Sequence, residues 1–116
     1  MRRADRLAWR RVLHALRAEC PPVLPTRVRV LPGPSDCYGY ADFSRDRTAF
    51  NVTLYRSVKE PGVPARAVTR GELRETLVHE WAHLLAYHGL LEESFEAHDA
   101  AWGVAYARCY QAVVED

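Results

Sequence analysis

The chain has 116 residues, 48% of them hydrophobic and 27% charged, with a formal net charge of +1. That length accommodates one domain around one core, and the composition is that of an ordinary globular protein. The near-neutral charge excludes a molecule whose overall field recruits nucleic acid, and the lack of a long apolar run excludes a membrane span or secretory leader, so a cytoplasmic protein is expected.

From Ala4 to Glu19, Leu7, Ala8, Val12, Leu13, Ala15 and Leu16 recur at helical spacing among Arg6, Arg10, Arg11 and Arg17, which predicts an amphipathic helix. Pro21 and Pro22 end it. Arg27 to Leu31 alternates charged and branched residues, the pattern of a half-buried strand, and Pro32-Gly33-Pro34-Ser35-Asp36 is turn chemistry. Two further strands are expected around Cys37 to Phe43 and Thr48 to Tyr55, joined through Ser44 to Arg47, so the three read as an antiparallel meander. The stretch from Arg56 to Val68 holds Pro61, Gly62 and Pro64 and reads as a surface loop that could border a cleft.

Thr69 and Glu72 form a capping box that opens a helix running to about His88, with Gly89 suited to the left-handed position beyond its end. A tight linker, Leu90 to Ser94, leads to a last helix from about Phe95 to Val114. The fold class is therefore α+β: an N-terminal helix, a small three-stranded antiparallel sheet, a buried helix and a C-terminal helix, in a single domain. Cys20, Cys37 and Cys109 are odd in number and form no C-x-x-C pair, so they read as reduced thiols.

The buried helix carries the chemistry. Residues four apart lie on one helical face, so His79 and His83 can aim two imidazoles at one ion, and Glu80 stands beside them to take a proton from water; this is the H-E-x-x-H arrangement. Leu73, Leu77, Val78, Trp81, Ala82, Leu84, Leu85 and Ala86 cover most of the helix, leaving a polar strip of Glu72, Thr76, His79, Glu80, His83 and Tyr87. Histidines and glutamates on a buried helix need partners, and a metal supplies them. A catalytic zinc takes three protein ligands, and His88, His98, Glu93 and Glu96 are the candidates for the third. His88 sits nearly opposite His79, whereas His98 follows a short reversal that folds the last helix back, so His98 is favoured and the glutamates stay open. His14, far upstream, reads as structural, and Trp9, Trp81 and Trp102 read as core aromatics.

Glu75-Thr-Leu-Val-His-Glu-Trp-Ala-His-Leu-Leu85, followed by His98-Asp-Ala-Ala-Trp102, resembles the SprT-like metallopeptidases, relatives of the Spartan protease domain. Ala49-Phe-Asn-Val-Thr-Leu54 is similar to the strand that precedes the metal helix in that family. The resemblance implies a zincin-like minimal fold, a Zn2+ ion on His79, His83 and His98, Glu80 as general base, and hydrolysis of a protein or peptide substrate held extended against a sheet edge. Asp99 departs from the pattern, standing where the family commonly has glycine. Two other readings compete: an ImmA/IrrE-type regulatory metallopeptidase with Glu93 or Glu96 as third ligand, and a DNA-associated binding module built on the arginine-rich first helix around a structural metal.

Overall fold

The computed structural model describes residues 3–87 and 100–115. In chain order it comprises α1 (Arg3–Glu19), β1 (Thr26–Leu31), β2 (Gly39–Phe43), β3 (Phe50–Tyr55), the two-residue strands β4 (Ser57–Val58) and β5 (Arg66–Ala67), α2 (Arg70–Ala86) and α3 (Ala100–Glu115). Gly89, the segment 90–94 and the expected helix start near Phe95 lie outside the described residues.

The sheet is mixed rather than antiparallel. Strand order is β1-β3-β2: β3 pairs antiparallel with β2, as its tight connection predicts, but parallel with β1, with Val28 opposite Val52 and Leu31 opposite Tyr55. Two physical causes override chain-order adjacency. The strand richest in buried side chains takes the centre, since Phe50, Val52, Thr53 and Leu54 are all inaccessible to solvent. The connection 32–38 is also too long and too proline-rich for a hairpin; it crosses the end of β3 and is pinned beyond it, Ser35 donating its N–H to the Ser57 carbonyl at 3.1 Å and accepting from Lys59 N–H at 2.9 Å. By contrast, the link between β2 and β3 closes tightly. Arg47 takes a left-handed φ of 59°, its N–H reaches the Ser44 carbonyl, and the Ser44 hydroxyl accepts from the N–H groups of Thr48 and Ala49.

One face of the sheet, carrying Val28, Val30, Ala41, Phe50, Val52 and Leu54, joins the core. The alternation read in β1 holds, because Arg27 and Arg29 are exposed while Val28 and Val30 are half-buried. The core is completed by Trp9, Val12, Leu16 and Cys20 of α1 and by Leu73, Leu77, Val78, Trp81 and Leu84 of α2, with Ala105 and Cys109 of α3. Trp81 lies at the centre, fully buried, with its indole N–H on the Cys20 carbonyl at 2.8 Å. That bond ties the middle of α2 to the end of α1 and satisfies the one polar atom the indole brings inside. Burial pushes the Cys109 thiol up, with Cys20 beside it adding to the shift.

The loop expected between Arg56 and Val68 is clasped by its own ladder, Ser57 opposite Ala67 and Val58 opposite Arg66. At the other end of α2, the helix stops at Ala86 rather than near His88. Tyr87 leaves it at φ −66° and ψ 127°, and its ring packs edge-on against Phe43 and Phe50, with centroids 5.2 Å and 5.6 Å away. Burying that ring on the sheet outweighs one more helical residue, and it removes Tyr87 from the polar strip.

Candidate metal centre and cleft

The start of α2 forms as its sequence dictates. The Thr69 hydroxyl accepts the Glu72 N–H at 3.1 Å, and the Glu72 carboxylate accepts the Thr69 N–H at 3.0 Å, so two otherwise orphaned donors are satisfied reciprocally. Glu72 is also gripped by the Arg66 guanidinium through both oxygens, at 2.9 Å and 2.8 Å, while Arg66 donates to the Tyr38 hydroxyl at 2.6 Å. Arg66, then the Thr69 N–H, hold the Glu72 carboxyl far below its usual range. This latch fastens β5 and the entry to β2 onto the first turn of α2.

Fixed in that way, α2 presents His79, Glu80 and His83 beside β2. His83 is 2% exposed and Glu80 6% exposed, while His79 is half-buried. Among the described residues these three form a group whose potential ligand atoms all lie within 4.8 Å of one another. The two imidazole centroids are 5.1 Å apart, with their planes inclined at 68°. Nitrogen donors on one tetrahedral ion stand about 3.4 Å apart, so small side-chain rotations bring both rings onto a common ion. Donor type, convergence and burial therefore fit a zinc-like cation, with Glu80 close enough to act as ligand or base. His14 is exposed on α1 and takes no part in the group. His88, Glu93, Glu96, His98 and Asp99, the candidates for third ligand and its neighbours, lie outside the described residues.

A cleft of about 440 Å³ opens beside this group, lined by Asp36, Cys37, Tyr38 and Gly39 on one side and by Glu75, Thr76, His79 and Glu80 on the other. Gly39 is what allows the two walls to close at their base. A Cβ there would lie 2.5 Å from the Thr53 carbonyl oxygen and 2.9 Å from Thr76 Cγ2, so any side chain would push β2 away from the helix. β2 is an edge strand of the three-stranded sheet, and its first residue, Gly39, lines the cleft.

The sequence places Trp102 among the core aromatics; in the structure it is half-buried at the core's margin, against the face of α2 that carries His79 and His83. Its ring lies 5.1 Å from that of His79 and 5.7 Å from that of His83, and its indole N–H points to the His79 carbonyl at 3.4 Å. Tyr106, one turn later on α3, stacks 5.0 Å beyond Trp102, and its hydroxyl bonds the Glu75 carboxylate. Burial, followed by that carboxylate, pushes the Tyr106 phenol up to about 12. The i, i+4 spacing of Trp102 and Tyr106 is visible in the sequence, and it was the only available sign that the two share a face.

No family model matches the chain, and neither curated proteins nor solved structures include a match to it. Among the described residues no helix is long and apolar enough to cross a membrane.

Proposed function

We propose that this chain is a zinc-dependent metallopeptidase of the SprT-like type, acting in the cytoplasm on protein segments held extended. The observation that carries this reading is the buried Glu80 carboxylate, grouped with the His79 and His83 imidazoles, with Glu80 and His79 lining a cleft that reaches the edge strand β2 at Gly39. His79 and His83 would hold the ion together with a third ligand, for which His98 is our choice. When bound, a zinc ion supplies Lewis acidity, acidifying a water and polarising an amide carbonyl. Glu80 would accept a proton from the attacking water at a carboxylate oxygen and return it to the departing amine. The outer edge of β2 offers backbone donors and acceptors to an extended segment, and Gly39 and Thr76 set how deeply that segment can lie.

Incubation of the zinc-loaded protein with an unfolded protein substrate tests the reading. Fragments should form, cease on chelation and return when zinc is restored. Full zinc occupancy without cleavage of any unfolded or extended substrate overturns it. Alanine substitution of His98, Glu93 and Glu96 in turn, with bound zinc measured, separates this reading from one with a glutamate as third ligand: loss with His98→Ala supports it and loss with a glutamate variant contradicts it.

A further inference from the structure

The two histidines are not held by α2 alone. Trp102 contributes an N–H to the carbonyl of His79 and a ring surface to both imidazoles, and Trp102 is in turn backed by the Tyr106 ring. Tyr106 then reaches across to Glu75, which stands one turn before His79 on α2 and lines the cleft. The chain of contacts thus leaves α2 at Glu75, runs through two aromatic residues of α3 and returns to α2 at His79 and His83. An imidazole free to rotate about its side-chain bonds loses entropy on binding an ion, and a wall that restricts it in advance lowers that cost. The fixed points of such a wall are bonds from α3 to α2, Trp102 to the His79 carbonyl and Tyr106 to the Glu75 carboxylate.

We infer that Tyr106 is a positioning residue for the ligand histidines, acting through its bond to Glu75 and its stacking on Trp102. Its hydroxyl sets the register of α3 on α2, and that register decides whether the Trp102 indole meets His79 and His83. The inference rests on the metal-centre reading above and assigns a role to residues that the H-E-x-x-H pattern does not contain.

Titration of the metal-free protein with Co2+, followed by its absorption spectrum, tests this alongside circular dichroism and thermal melting. Tyr106→Phe keeps the ring and loses the hydroxyl; its Co2+ dissociation constant should rise about tenfold, with an altered ligand-field spectrum, while helical content is unchanged. Glu75→Leu should match it, and the double variant should be no worse than either single one, because both remove the same bond. Glu75→Gln retains an acceptor for the phenol and should bind within about threefold of wild type. Trp102→Ala should be the most damaging, approaching a hundredfold. Val12→Ala, a core change in α1, should lower the melting temperature without moving the dissociation constant. Wild-type affinity and spectrum in Tyr106→Phe, or a Val12→Ala affinity loss equal to that of Tyr106→Phe, overturns the inference and leaves the metal centre standing. A wild-type chain that binds no metal overturns the metal centre and this inference together.

Discussion

Two polar constellations meet helix α2, one at its first turn and one about two turns further along, and they differ in burial. At its start, Thr69, Glu72, Arg66 and Tyr38 lie at the surface, wholly or partly exposed, and bond one another. Further along, Glu80 and His83 are withdrawn from solvent beside His79, and the potential ligand atoms of the three lie within 4.8 Å of one another. The first arrangement is a fastening: it fixes where α2 begins and holds β5 to it. The second concentrates polar groups in a place where burial costs free energy, which stability alone does not call for. The difference separates residues that fix the start of the helix from residues that the helix buries beside a cleft.

Substitutions at the two ends should therefore affect different measurements. The largest effect belongs to the buried group: His83→Leu should abolish stoichiometric zinc binding, yet leave the melting temperature of the metal-free protein unchanged or higher, since an apolar side chain suits that site. A metal-free variant that melts well below wild type would mean that His83 is a structural member of the core. Next comes Gly39→Ala between the two constellations, where a new Cβ at 2.5 Å from the Thr53 carbonyl oxygen should cost about 1–3 kcal/mol in denaturant unfolding and reduce peptide turnover as well. Thr69→Ala at the fastening should cost about 1 kcal/mol of stability and leave zinc affinity alone. An affinity change there would join what the structure keeps apart.

The smallest effect is a pH dependence. Because the Glu72 carboxyl is held below its ordinary value of 4.5 in the folded chain, its contribution to stability is present above that pH and is lost as the pH falls through and below it. Arg66→Ala should flatten that part of the melting-temperature profile. The pair is exposed enough for solvent to screen most of its interaction, so the slope should also shrink in high salt. An unchanged profile in Arg66→Ala would remove the ion pair from the fastening.

The local features were legible in the sequence because they depend on residues near one another. The Thr69 and Glu72 capping box, the amphipathic α1, the turn from Ser44 to Arg47 and the shared face of His79 and His83 all follow from spacing. What escaped depends on tertiary packing. The parallel pairing of β1 with β3 arises from competition among strands for the most buried position, which Phe50, Val52 and Leu54 win. Tyr87 abandons the polar strip for a place between two phenylalanines contributed by the sheet. Trp102 has the composition of a core residue, and only the way α3 lies on α2 brings its indole to the imidazoles.

The proposed role of Glu80, a base beside an ion held by its neighbours, is tested most directly by one paired measurement: the zinc content and peptide hydrolysis of the wild-type protein and of Glu80→Gln. Zinc at about one per chain in both proteins is predicted, with hydrolysis in the variant lower by at least about a hundredfold. Absence of zinc from both, or undiminished hydrolysis by Glu80→Gln, would contradict it.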